Sequence, residues 1–211
     1  MGELGSVAVA GEEGETKTLP EVGLATAISV KRSALTLVAV AVMVIALDSA
    51  TKEWATNALE GKDPIRLLGG ALFFSFTRNS GAAWSMGSNY TFVFPFIALA
   101  VAAWIGWTAR KLRSLPWAIA LGLVLGGAMG NLADRVFRFP GGISGHVVDF
   151  ISLFDAHGQW FPIFNIADMS LFFGVCLAIL LEFTGRMRDG SRLTKGAAGD
   201  ADATGDKADA R

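Results

Sequence analysis

Cysteine is nearly missing from this 211-residue chain, where Cys176 stands alone. A single thiol excludes an intrachain disulfide and any multi-cysteine metal cage or cluster within one chain. Charge is also scarce and balanced: 18 Lys and Arg face 19 Asp and Glu, for a net charge of −1. That balance removes any general electrostatic case for binding nucleic acid. Tyrosine occurs once and histidine twice, against fifteen Phe and six Trp. What is present is 52% hydrophobic, with a mean hydropathy of +0.46. Such a composition excludes disorder over the whole length and points to a membrane.

A long apolar run is missing from residues 1–30, and large apolar side chains are almost missing from 189–211; both ends read as solvated tails unable to bury a core. The first basic pair before an apolar run, Lys31-Arg32, comes too late for a cleaved leader, so the acidic N-terminal tail is expected to stay attached. Four apolar runs lie between the tails, at 33–47, 90–108, 115–133 and 166–183. A helix needs roughly 20 residues to cross a hydrocarbon core of about 30 Å. The last three runs fit; the first carries Asp48 and Lys52 into its far end, four apart and on one helical face. Basic residues crowd alternate span ends: Lys31-Arg32, then Arg110, Lys111 and Arg113, then Arg186 and Arg188. By the positive-inside rule that side and both termini are cytoplasmic, and the connections 48–89 and 134–165 face outward. Within the first connection, 71–77 reads as an aromatic-rich strand ending at Arg78-Asn79, after a turn over 67–70. Trp84, Met86 and Tyr90 suit the membrane interface. The expected layout is a tail over 1–32, a four-helix membrane domain over 33–185 and a tail over 186–211.

Asp48, Asp134, Asp149 and Asp168 all fall at or near outer span ends. An Asp at a span centre costs about 2.5 to 3.5 kcal/mol, so each needs a reason, by default a functional one. Structural reasons exist for three: Asp48 can pair with Lys52, Asp134 can pair with Arg135, and Asp168 can sit at N3 of a helix capped by Asn165. Asp149, in the apolar stretch 146–151, has no neighbouring cation in sequence. Two carboxyls brought together in a low-dielectric site cannot both ionise, which places an acid beside a base, the equipment for activating water against an amide. Other chemistries fare worse. His146 and His157 with scattered Asp make a weak metal set. Ser80 and Ser85 lack a base and a nucleophile elbow. Cys176 lies in an apolar helix and reads as packing. The run 126–130 has no following Lys-Ser/Thr for a phosphate loop and reads as close helix packing.

Taken together, five blocks resemble lipoprotein signal peptidase, or signal peptidase II, over residues 34–185. They are Asp48-Ser49-Ala50-Thr51-Lys52, Asn79-Ser80-Gly81-Ala82-Ala83-Trp84, the run from Gly126 through Asn131 to Asp134-Arg135, Val147-Val148-Asp149-Phe150, and Phe161-Pro162-Ile163-Phe164-Asn165-Ile166-Ala167-Asp168. The resemblance implies an all-α membrane fold of four transmembrane helices with a small extracytoplasmic β-sheet, in the bacterial plasma membrane. It implies an aspartic endopeptidase that cuts prolipoproteins before a diacylglyceryl-modified cysteine, with no metal or organic cofactor and with globomycin as inhibitor. The catalytic pair falls on Asp149 and Asp168; the substrate-binding set falls on Asn79, Gly127, Asn131, Asp134, Arg135, Asn165, Ala167, Asp48 and Lys52. Membrane phospholipids are its surroundings. Ser49 and Ala50 depart from the first motif of many relatives, and the link 136–146 is longer than usual. Two other classes compete: a proton-coupled transporter, which would place charges near the midplane of repeated halves, and a noncatalytic membrane scaffold, which would tolerate Asn at position 149 or 168.

Overall fold

The computed structural model describes residues 19–81 and 93–192, with side chains from residue 29 onward. The expectations for Trp84, Ser85, Met86, Tyr90 and the outermost tails lie outside these residues. Helix α1 runs without a break over Leu19–Leu59. The segment expected as tail is therefore helical from Leu19, and Asp48 and Lys52 sit well inside the helix rather than at its end. A short strand β1, Ile65–Leu67, leads through a tight turn at Leu68–Gly70 into β2, Leu72–Asn79. Helix α2 covers Val93–Ala109, α3 Leu115–Phe137, and α4 Ile166–Phe183, with strand β3, Val147–Leu153, between α3 and α4. Among the described residues three helices are long and apolar enough to cross a membrane, at Ser29–Leu59, Leu115–Phe137 and Ile166–Phe183; α2 is a shorter apolar helix.

Helix α3 packs between α1 and α4 because glycines remove the side chains that would hold them apart. A Cβ on Gly126 would lie 2.6 Å from Val44 Cβ on α1, and one on Gly174 would lie 2.9 Å from the Ala120 carbonyl on α3. Lipid is as apolar as a leucine, so close backbone approach of this kind, rather than expulsion of water, brings transmembrane helices together. The outward faces keep large apolar side chains exposed, among them Leu35, Val38, Phe172 and Phe173. Cys176 is on this exposed side of α4, so it faces outward instead of filling the core.

The sheet is antiparallel in the order β1-β2-β3, with Thr77 opposite Asp149 and a bulge between Phe74 and Thr77. The aromatic strand read at 71–77 is thus β2. The apolar stretch at 146–151 thus falls largely in β3; burial of 147–152 on both faces explains why no alternation marks them as a strand. Beyond β3 the chain returns, and Phe164 pairs with Ile151 through two backbone hydrogen bonds of 2.9 Å. This bridge stitches the start of α4 to β3, one residue before Asn165. At the opposite end, residues 186–192 are not a tail. They turn back on themselves, and the Arg188 carbonyl accepts the Arg113 and Ser114 N–H groups at 2.9 and 3.1 Å, donors left open where α3 begins.

Candidate functional site

The stitch between β3 and α4 sets Asp149 and Asp168 on either side of one asparagine. Asn165 caps α4: its side-chain oxygen accepts the Asp168 N–H at 2.9 Å while Asp168 Oδ2 accepts the Asn165 N–H at 3.1 Å. The N-cap arrangement expected for Asp168 is therefore present, and it uses only one carboxylate oxygen. The amide nitrogen of the same Asn165 donates to Asp149 Oδ1 at 2.7 Å. The second oxygens have their own donors: Asn79 Nδ2 reaches Asp149 Oδ2 at 2.9 Å, and Asn131 Nδ2 reaches Asp168 Oδ1 at 2.7 Å. All four oxygens of the two carboxyl groups are thus held by N–H donors from three residues, Asn79 at the end of β2, Asn131 on α3 and Asn165 at the cap of α4. Burial, and after it the charge of Asp168, push the Asp149 carboxyl up to about 7, while the hydrogen bonds from Asn79 and Asn165 pull the other way. A carboxyl held there keeps or yields its proton near neutral pH, as acid–base work on an amide requires.

Beneath the pair lies a second layer of charge, with Lys52 (0% exposed) at its centre and Asp48 (1%) beside it. Its ammonium has three N–H bonds and three acceptors: Asp48 Oδ2 at 2.7 Å, Asp134 Oδ2 at 3.0 Å and Asn131 Oδ1 at 3.0 Å. The two carboxylates pass this constraint upward. Asp48 Oδ1 accepts the N–H of Ala167, the residue before Asp168, at 2.9 Å. Asp134 Oδ2 accepts the N–H of Val148, the residue before Asp149, at 3.1 Å. Lys52 also decides which way Asn131 faces. An ammonium can only donate, so the amide oxygen must turn to Lys52 and the amide nitrogen to Asp168.

The expected Asp48–Lys52 pair is therefore present, buried rather than interfacial. The local pairing expected for Asp134 goes to Arg138, at 2.5 Å, and not to Arg135. One helical turn separates 134 from 138, whereas neighbours in sequence point to different sides. Arg135 instead donates to the Gly81 carbonyl at 2.7 Å and lies 4.9 Å from the Phe94 ring. Of the residues expected around a substrate, Asn79 and Asn131 are half-buried beside the pair, while Asp48, Lys52, Asp134, Arg135, Asn165 and Ala167 are buried. Gly127 sits at the α3–α4 seam, where a Cβ would meet the Ala167 carbonyl and Leu171. A cavity of about 240 Å³ opens over Asp149, bounded by Thr77 and Asn79 on one side and by His157, Gly158, Pro162 and Ile163 on the other. No sequence neighbour assigns His157 to this cavity, because the turn that brings it there is made by the Asp155 carboxylate accepting backbone N–H groups.

Apolar helices carrying a buried carboxyl pair beneath a small sheet define the class: a multi-pass membrane protein with a paired-carboxyl site. Comparison with known proteins makes it specific. A family model described as signal peptidase (SPase) II matches residues 40–184. The lipoprotein signal peptidase of Mycobacterium tuberculosis (strain ATCC 25618 / H37Rv) is 46% identical over 149 residues, covering 71% of each chain. That of Streptomyces coelicolor is 46% identical over 161 residues, covering 76% of each. Two solved structures described as a bacterial membrane enzyme share the fold, with TM-scores of 0.63 and 0.59 at 31% and 34% identity. They cover 76% and 70% of this chain, and 94% and 92% of their own. The chain belongs to the signal peptidase II family, and with it to the membrane proteases.

Proposed function

We propose that this protein removes the signal peptide from bacterial prolipoproteins, cutting on the N-terminal side of a diacylglyceryl-modified cysteine, with Asp149 and Asp168 as an aspartic catalytic pair. The observation that carries this reading is the single Asn165 that holds one carboxyl by its side chain and caps the other, next to a cavity open at Asp149. One carboxylate takes a proton from a water admitted to the cavity as the water oxygen bonds to the scissile carbonyl carbon. The other, protonated, shares its proton with the carbonyl oxygen and then delivers a proton to the amide nitrogen as the C–N bond breaks. Because the two titrate together, the roles belong to the pair. No metal or organic cofactor enters these steps.

Half-buried Asn79 and Asn131 suit contact with an extended peptide backbone, since an amide donates and accepts without adding charge. Asp48, Lys52, Asp134, Arg135, Asn165, Ala167 and Gly127 act by positioning those groups. In this reading residues 33–185 form the protease domain, α2 completes a set of four spans, and the termini are cytoplasmic while the pair faces the outer leaflet. A substrate anchored there by its acyl chains, with about 0.8 kcal/mol per buried methylene, is already confined to the depth of the site. Globomycin, by the family resemblance, would compete for the same cavity.

The test uses purified protein and a synthetic diacylglyceryl prolipoprotein. Asp149→Asn and Asp168→Asn, correctly folded, should each lose at least about a hundredfold in rate, the scale of general acid–base catalysis. Release of signal peptide by both variants at the parental rate would overturn the assignment. Proton flux in vesicles without any cleavage would favour a transporter instead.

A further inference from the structure

The loop between β3 and α4 is built more firmly than a connection needs to be. The Asp155 carboxylate accepts three backbone N–H groups, those of His157, Gln159 and Trp160, at 2.7, 3.1 and 3.0 Å. From the sheet, Ser152 Oγ donates to the Asp155 carbonyl at 2.7 Å, and Ser75 Oγ donates to the carbonyl of Ala156. Gly158 is buried at φ +71, where a Cβ would lie 2.9 Å from Ile163 Cγ1. The bonds at 155–156 and the packing at 158 leave residue 157 little freedom of position. Exposed His157 is one of the residues that line the cavity at Asp149, together with Thr77 and Asn79. The carboxyl oxygens of Asp149 are taken by Asn79 and Asn165, so the proposed chemistry does not use this side chain.

We propose that His157 is a specificity-determining residue that reads the substrate side chain following the lipidated cysteine and favours an acidic one there. The inference rests on the cleavage reading above. An apolar signal segment stays among the helices, whereas the polar chain released after cleavage must leave past the sheet, and His157 stands on that side. An imidazole N–H donates to a carboxylate in a charge-assisted hydrogen bond, stronger than the one it makes to a neutral amide, and brings no negative charge to hold an ammonium. Among the described residues that line the cavity, Asp149 on β3 is the other titratable group; Asp168 on α4 lies behind it across Asn165, and the Asp155 carboxylate holds the loop's own N–H groups. The carboxyl pair disfavours an acidic substrate residue, and Arg135 is occupied by the Gly81 carbonyl. Among the described residues that line the cavity, His157 is therefore the group able to reverse that bias.

Three synthetic diacylglyceryl prolipopeptides, differing only in Asp, Asn or Lys after the cysteine, provide the test. Wild type and variants are compared at one pH, so that the state of the catalytic pair is common to them. The ratio of kcat/KM for the Asp and Asn substrates should be about threefold higher in the wild type than in His157→Gln, through KM, the size of a solvent-accessible ion pair. His157→Gln should also improve relative cutting of the Lys substrate. His157→Lys should keep the ratio at least as high as in the wild type. A ratio unchanged in His157→Gln, with all three substrates cut as by the wild type, would overturn the inference while leaving the protease reading intact. Failure of the wild type to cut any of the three would overturn both.

Discussion

The two ends of the helix bundle hold charge in opposite ways. At the sheet end, Lys52 bridges Asp48 and Asp134 out of contact with solvent, and both carboxylates hand their constraint to backbone N–H groups beside Asp149 and Asp168. At the other end, the Arg188 guanidinium lies 5.0 Å from the Trp117 ring and 5.7 Å from the Trp104 ring, and its carbonyl closes the start of α3. The first arrangement places charge where solvation cannot relieve it; the second lets a cation rest on apolar rings near the surface. One end is organised for fixed geometry around the carboxyl pair, the other for holding helices together. Substitutions should separate these two purposes.

The largest effect should follow from Lys52→Met. Asp48 and Asp134 would then be buried without their shared cation, a loss of about 3–5 kcal/mol for a broken buried pair. Cleavage should also fall at least about a hundredfold, because Asn131 no longer has a fixed side to turn to Asp168. Thermal unfolding in detergent and single-turnover cleavage read the two losses. Adding Asp48→Asn to Lys52→Met should restore part of the stability without restoring the rate. A single variant with the parental midpoint would mean that the buried cluster does not hold the site.

Next in size is Asn165→Ala. It removes the donor to Asp149 Oδ1 and the cap on α4 together. The cap alone is worth about 1 kcal/mol. The lost donor at a preorganised site should cost on the order of a hundredfold in rate. If the rate drops no further than the stability loss accounts for, Asn165 is a cap and nothing more.

These residues also mark how far sequence reasoning reaches. Helices α3 and α4 were legible because long apolar runs state their own length, and the cap at Asn165 was legible because its partner is three residues away. Asp149 attracted attention for want of a nearby cation. What could not be read were relations with no fixed spacing: the joining of residue 164 to β3, the choice of Arg138 over Arg135 by Asp134, and the return of 186–192 under the α2–α3 link. The last looked like a tail because it has few apolar side chains. It is held by backbone carbonyls and by one arginine between tryptophans, which composition does not report. His157 belongs to the same group, since only the turn around Asp155 brings it to the cavity.

A pH-dependent comparison sharpens the contrast from the stability side. The folded protein holds the Asp149 proton up to about 7, far above the usual carboxylate range near 3.8. Between those values the native state binds more protons than the unfolded chain, so this group's contribution is complete below 3.8 and is lost as pH rises through about 7. Asp149→Asn, which cannot ionise, should therefore gain stability over the wild type as pH is raised from about 5 to about 8, by several degrees in midpoint. In the wild type, kcat/KM should decline as pH rises through the same region, since the pair then loses its shared proton. A midpoint difference that stays constant with pH would show that Asp149 is already ionised in the folded protein across this range, as it is in the unfolded chain.

Arg188→Ala should give the smallest effect, and the one that isolates the other end. The substitution keeps the backbone carbonyl that serves Arg113 and Ser114 and removes only the guanidinium from Trp104 and Trp117. A cation over aromatic rings at a partly exposed site contributes about 1 kcal/mol, a shift of about 2–4 °C for a domain of this size. Trp117 also donates its indole N–H to the Arg186 carbonyl at 2.6 Å, so the turn should remain seated. Cleavage measured well below the midpoint should match the wild type, because α3 carries no strain from this end to Asn131 once its first turn stays closed. A rate loss larger than the stability loss would mean that the two ends are coupled through α3, and the division of labour between them would have to be abandoned.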